Sequence, residues 1–303
     1  MKHLLKLLDL DGEEIIQILD LADKLKYEKK HGISHKRLEG KSIGLIFQKS
    51  STRTRTSFET GAFQLGAYPL YLNATDMQIH RGEPVEDTAR VLSRYLDGVM
   101  MRTFDQSEVE ALAVYGSIPI INGLTDLFHP CQVLADLMTI REYKGHLEGI
   151  NLCYIGDGNN MANSLIVGGL KTGMNVRIAC PKGYGPDNQV LDFAKAYGDK
   201  FSLSTDPKNA AKNADVILTD VWASMGQEGE LSNRNKAFAG IYQVNDELMS
   251  YAKPDCIVQH CLPAHRDEEI TAKVFEEHAN EIFDEAENRL HVQKAVMVLL
   301  LED

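Results

Sequence analysis

Residues 42–59 read "SIGLIFQKSSTRTRTSFE", and the change of character after Phe47 decides the fold. The first six residues form a short apolar run, the mark of a buried strand. The continuation carries hydroxyls at Ser50, Ser51, Thr52, Thr54, Thr56 and Ser57, with Arg53 and Arg55 among them. Short hydroxyl side chains compete for backbone hydrogen bonds, so they suit a helix start better than a helix interior. A strand feeding directly into a helix start is the first half of a βα unit, with the helix expected over 53–65. Its unpaired N–H groups and positive dipole end favour an anion, and the guanidinium of Arg53 matches a phosphate. Ser51, Thr52, Arg53 and Thr54 are therefore read as a phosphate cradle. Thr56 and Glu59 also fit a capping box. The competing reading is an over-capped helix start with solvated arginines.

The alternation extends outward in both directions. Upstream, Leu10, Ile15, Ile18, Leu19, Ala22 and Leu25 recur at helical spacing. Downstream, 67–72, 98–103 and 118–122 read as strands, 87–95 and 107–115 as helices, and 129–145 as a longer helix. A second series follows, with strands at 150–156, 175–180, 200–204, 215–221 and 256–260 and helices near 160–172, 187–197, 207–213 and 267–278. Strands separated by helices imply parallel sheets covered on both faces. The expected fold class is α/β, with two doubly wound parallel-sheet domains. The first spans 1–143 and the second 144–287, and the apolar helix 288–303 is expected to pack back on the first.

At 303 residues the chain is long for one core and natural for two domains. A net charge of −12 argues against nucleic-acid or anionic-membrane partners, so any basic site is local. Five cysteines, odd in number and without C-x-x-C spacing, point away from a disulfide framework or zinc site. With an early acidic N-terminus and no membrane-length apolar run, a soluble, cytoplasmic protein is expected.

Open α/β sheets bind ligands beyond the carboxyl ends of their strands, and the residues there are the candidates. Arg102 ends the strand at 98–103. His129 precedes Pro130, which suits a first helical turn, and Gln132 lies on that turn. His129 can serve a substrate or cap its own helix. "YIGDGNNMANS" (154–164) begins like a dinucleotide-binding fingerprint but has Met161 at the third glycine position. Cys180-Pro181 stands where a ribose-binding acid is wanted, which disfavours a nicotinamide cofactor. Asn159 and Asn160 instead offer amides to a carboxylate. Asp220 offers a carboxylate to an ammonium, and Ser224 a hydroxyl. In "QHCLPAHR" (259–266), adjacent strand residues point to opposite faces. His260 is thus badly placed to activate Cys261, which reads as a weakly polar contact. Leu262-Pro263 is a candidate cis peptide.

Taken in order, "STRTRTSFE" (51–59), "HPCQ" (129–132), "DVWASMG" (220–226) and "HCLPAHR" (260–266) resemble the aspartate/ornithine carbamoyltransferase family. "HCLP" with "SMG" is similar to its ornithine-specific members. The resemblance covers essentially the whole chain. It implies the two-domain carbamoyltransferase fold, with the active site in the interdomain cleft. It also implies a homotrimer with intersubunit active sites, small-molecule substrates, and neither cofactor nor metal. The implied reaction moves the carbamoyl group of carbamoyl phosphate to the δ-amine of L-ornithine, giving L-citrulline and phosphate, as in arginine biosynthesis.

Carried over by motif, Ser51, Thr52, Arg53 and Thr54 hold the phosphate. Arg102, His129, Gln132, Cys261, Leu262 and Arg289 join them around carbamoyl phosphate, and Gln78 reaches a neighbouring subunit's phosphate. Asn160, Asp220, Ser224 and Met225 hold ornithine. Arg53, Arg102, His129 and Cys261 form the catalytic set. The rival readings are another amine acceptor, such as putrescine or N-acetylornithine, a nicotinamide-dependent dehydrogenase, and a non-catalytic phosphate-binding protein.

Overall fold

Asp11 starts the first helix. Its carboxylate accepts from the Glu14 N–H at 2.8 Å, and Glu14 accepts from the Asp11 N–H at 3.0 Å. Two orphan donors of helix α1 (Gly12–Lys30) are thereby satisfied in a reciprocal cap. There follow β1 (Ser42–Phe47), α2 (Thr52–Gln64), β2 (Tyr68–Asn73), α3 (Val85–Leu92), β3 (Gly98–Arg102), α4 (Gln106–Tyr115), β4 (Ile120–Leu124) and α5 (Pro130–Lys144). The four strands pair in parallel in the order β2-β1-β3-β4. β3 is buried along its whole length, as its continuous apolar run requires of a strand covered on both faces.

The second series comprises β5 (Asn151–Ile155), α6 (Asn160–Lys171), β6 (Asn175–Ala179), α7 (Asn188–Ala194), β7 (Phe201–Ser204), α8 (Pro207–Ala211) and β8 (Val216–Thr219). It continues with α9 (Leu231–Phe238), α10 (Asp246–Met249), β9 (Ile257–His260), α11 (Ala272–Glu277) and α12 (Ala279–Leu301). Its five strands are parallel in the order β7-β6-β5-β8-β9. The structure describes residues 1–223, 229 and 231–302. Among them no helix is long and apolar enough to cross a membrane.

Two units divide the chain: Met1–Ala135 with Asn288–Asp303, and Asp136–Glu287. The division falls inside α5 and not at its end, where the sequence suggests a boundary at 143/144. The later turns of α5 are bonded within the second unit. Gln259 donates to the Asp136 carbonyl at 3.2 Å, Tyr143 to Asp284 at 2.7 Å and Lys144 to Asp255 at 3.0 Å. Two further details differ from the sequence reading. The expected helix at 267–278 is the shorter α11, followed at once by α12. The proposed Thr56/Glu59 cap is absent because Ser51 caps α2, accepting from the Thr54 N–H at 3.2 Å.

Helix α12 carries Lys294 into a fully buried position in the first unit. Its ammonium donates to Gln64 Oε1 at 3.1 Å and lies 3.3 Å from His35 Nε2. Burial, assisted by Lys29, lowers the Lys294 pKa to about 8. Above that pH the folded protein has released a proton that the unfolded chain keeps until about pH 10.5. Stability is therefore expected to rise from pH 8 to 10, by on the order of 2 kcal/mol relative to Lys294→Met. Unfolding midpoints measured for both proteins across that range, at one protein concentration, test this; parallel curves would refute it.

Candidate active site

In the first sheet the strand order reverses between β1 and β3, whose carboxyl ends are level, with Phe47 opposite Arg102. Such a reversal leaves a crevice in which open α/β sheets bind ligands. The first turn of α2 opens there, with Ser51 as its cap and Arg53 on the turn. Ser57 donates to the Arg53 carbonyl at 2.7 Å. Arg55, the other arginine of the motif, is diverted. It stacks 3.6 Å over the Tyr71 ring and pairs with Glu59 at 3.0 Å.

Buried Thr54 is where distant residues converge. Its hydroxyl oxygen accepts from Arg102 at 3.5 Å and from Arg289 at 3.3 Å. Arg289 also donates to Gln132 at 2.6 Å. With its amide oriented to suit its neighbours, Gln293 accepts from Arg289 at 2.9 and 3.2 Å and donates to Ser57 at 2.6 Å. His129 begins α5, its carbonyl accepting from the Gln132 N–H at 3.2 Å. Its imidazole is buried. Burial, followed by the charges of Arg289, Arg102 and Arg53, holds its pKa well below the ordinary value. The ring is therefore neutral at physiological pH. Gln78 stands on an exposed turn, Gln78–Arg81, and takes no part in this hydrogen-bonded cluster.

In the second sheet the order reverses between β5 and β8. Ile155 is level with Thr219, and Thr219 with His260. Asp220 follows β8 and collects three donors. Asn159 Nδ2 lies 2.9 Å from Oδ2, and Oδ1 accepts from the Val221 N–H at 2.8 Å and from the Cys261 thiol at 3.1 Å. Burial and the Asp220 carboxylate push the Cys261 pKa well above its usual value, so sulfur keeps its proton. Asn159 also caps α6, accepting from the Met161 and Ala162 N–H groups at 2.9 and 3.3 Å. Asn160 is the buried first residue of that helix.

His260 Nδ1 accepts from the Leu262 N–H at 2.9 Å, which leaves the proton on Nε2 to meet Glu269 at 3.0 Å. The ring is thus committed away from Cys261. Leu262 has φ 58°, and the Leu262–Pro263 bond is cis. Asp220, His260 and Cys261 present atoms within 4.8 Å of one another. Both His260 ring nitrogens are already engaged, so a cation there would have to displace a hydrogen bond. The turn after β5 is closed to a dinucleotide. A Cβ at Gly158 would lie 2.2 Å from the Gly185 carbonyl carbon, so neighbouring backbone covers the glycine's open side. Ser224 and Met225 lie outside the described residues.

The structure thus brings Thr54, Arg102, His129, Gln132 and Arg289 together in one unit, and Asp220 and Cys261 in the other. Sequence reasoning missed the part of Gln293, and it did not select Asn159 over Asn160 as the partner of Asp220. A glutamine on an apolar helix face one turn beyond Arg289 was the available signal for the first.

Residues 2–142 match the model of the aspartate/ornithine carbamoyltransferase carbamoyl-P binding domain, and 148–300 that of the Asp/Orn binding domain. The chain is 55% identical to the ornithine carbamoyltransferase of Carboxydothermus hydrogenoformans, over 99% of this chain and 97% of that one. Among solved structures, the ornithine carbamoyltransferase of Pyrococcus furiosus superposes with a TM-score of 0.94 at 51% identity, covering 99% of this chain and 97% of that one. The anabolic enzyme of Campylobacter jejuni gives 0.94 at 42% identity, covering 99% of each. With motifs, fold and two domain models in agreement, the chain belongs to the aspartate/ornithine carbamoyltransferase family.

Proposed function

We propose that the protein transfers the carbamoyl group of carbamoyl phosphate to the δ-amine of L-ornithine, giving L-citrulline and phosphate. The observation that carries this is the buried group of Arg102, Arg289, His129 and Gln132 around Thr54, beside the N-terminus of α2. It offers guanidinium forks and backbone donors to a phosphate dianion and a neutral imidazole to a carbonyl. The first unit is assigned to carbamoyl phosphate, held by Ser51, Thr52, Arg53 and Thr54 with Arg102, His129, Gln132 and Arg289. Cys261 and Leu262 complete the carbamoyl end. The second unit is assigned to ornithine, with Asp220 on the α-ammonium and Asn160, Ser224 and Met225 on its other polar groups. Those α-group contacts favour ornithine over putrescine, which lacks an α-carboxylate.

The reaction begins with the neutral δ-amine attacking the carbonyl carbon. On lysine's scale, losing its proton near pH 7.5 costs roughly 4 kcal/mol, and the surrounding guanidinium groups lower that cost. As the C–N bond forms, negative charge develops on the carbonyl oxygen. Arg102, the His129 ring and the Thr54 hydroxyl are the donors assigned to it. The C–O bond to phosphate then breaks, the bonding electrons leave with phosphate, and the nitrogen loses its remaining extra proton. Positioning and electrostatics supply the catalysis. A homotrimer is part of this reading, with Gln78 reaching a neighbour's phosphate; its exposure on a turn supports that role.

Citrulline formation measured with ornithine, putrescine, N-acetylornithine and aspartate side by side tests the acceptor, and ornithine is expected to dominate. Arg53→Ala should weaken carbamoyl phosphate binding at least 30-fold, about 2 kcal/mol; unchanged affinity would refute the cradle. Asp220→Asn should raise the KM for ornithine at least tenfold, whereas a change in turnover alone would remove the α-ammonium role. His129→Gln should lower kcat and leave the acid limb of the pH profile unmoved, because the imidazole is already neutral there. A displaced limb would mean that His129 titrates.

A further inference from the structure

We propose that Arg234 of α9 is the positioning residue of the ornithine side: it clamps the turn after β5 to the strand end after β8, and so fixes where Asp220 stands. This rests on the carbamoyl-transfer reading above. The Arg234 Nη1 donates to Asp157 Oδ2 at 2.6 Å and to the Trp222 carbonyl at 2.9 Å. Asp157 belongs to the turn that leads into the Asn159 cap, and Trp222 lies two residues beyond Asp220. One guanidinium therefore joins the two backbone segments that deliver Asn159 and Asp220, whose side chains meet at 2.9 Å.

The clamp is buried and rigidly backed. The Arg234 and Asp157 side chains are each 8% exposed, and the guanidinium lies 5.2 Å from the Tyr184 ring centroid. Phe238, one turn further along α9, stacks on Trp222 at 5.9 Å and meets Tyr184 edge-on at 5.0 Å. Charge adds a second constraint. Burial drives the Asp157 pKa up, Arg234 opposes this, and the nearby Asp220 charge works with burial. By pairing with Asp157, Arg234 neutralises the one carboxylate and leaves Asp220 as the charge offered to an ammonium. A buried pair broken on one side leaves an uncompensated ion, and lysine's flexible ammonium does not reproduce the planar guanidinium that places one nitrogen between both acceptors.

The test uses the full-length protein, with initial rates of citrulline formation and a melting curve for each variant. Arg234→Gln should raise the KM for ornithine at least tenfold and leave the KM for carbamoyl phosphate within twofold. Arg234→Lys should raise the ornithine KM at least threefold, and it supplies the answer should the glutamine variant not fold. Adding Asp157→Asn to Arg234→Gln should recover melting temperature without recovering the ornithine KM. An ornithine KM within twofold of wild type in the folded variants would overturn the proposal. So would equal rises for both substrates, or full recovery of the KM in the double variant. Wild-type protein that forms no citrulline would overturn the reading of function itself, an outcome distinct from normal wild-type turnover with an indifferent Arg234.

Discussion

Two guanidinium groups share the hydroxyl oxygen of Thr54, and the first unit's candidate site depends on that contact. Arg102 arrives from the end of β3 and Arg289 from α12, 235 residues along the chain from Thr54. Buried cations are tolerated only when hydrogen-bonded, and such charge-assisted bonds contribute roughly 1.5–3 kcal/mol each. Thr54 and Gln132 provide neutral acceptors that help to fix the direction of the guanidinium groups. A carboxylate in place of Thr54 would hold the arginines more tightly and cancel the field they create. The hydroxyl density after β1 is thus explained by position: Ser51 caps, Ser57 secures the Arg53 carbonyl, and Thr54 orients arginines.

The second unit solves the opposite problem by the same topology. Its sheet also reverses order at the centre, and there a carboxylate, Asp220, is held by an amide, a backbone N–H and a thiol. All three donors are neutral groups. Each unit therefore gathers one sign of charge at the reversal of its sheet, an arrangement suited to a phosphate in one case and an ammonium in the other.

The alternation of apolar runs and helical segments made the two parallel sheets legible, because strands buried on both faces cannot be polar. Ser51 to Thr54 were legible for a local reason: a strand end followed by hydroxyls has few other uses. Arg102 and His129 were readable only as strand-end residues, and their convergence on Thr54 with Arg289 is a tertiary fact that no local pattern encodes. The Thr56/Glu59 cap failed because Ser51 competes for the same helix start five residues earlier in the chain, and the earlier cap wins once β1 ends at Phe47. The tautomer of His260 was equally hidden. Alternation along the strand indicated that the ring turns from Cys261, but only the Leu262 N–H and Glu269 define which nitrogen carries the proton. Arg234 sits in a polar stretch with no strand-end signal, and its role emerges only from what it touches.

The protonation states limit how the amine loses its proton. His129 is neutral, yet it is a weak base, because its cationic form would be buried beside Arg289, Arg102 and Arg53. Cys261 holds its proton, since a thiolate would face Asp220 at 3.1 Å. His260 has one ring nitrogen accepting from backbone and the other donating to Glu269. A general base of ordinary strength is thus not found among these three. The phosphate is the better acceptor: its second pKa lies near 6 in esters, and its bridging oxygen becomes more basic as the bond to the carbonyl carbon breaks. In the proposed reaction the proton passes from the attacking nitrogen to the departing oxygen, and the role assigned to the protein is to hold both substrates while its fixed charges favour the product ions.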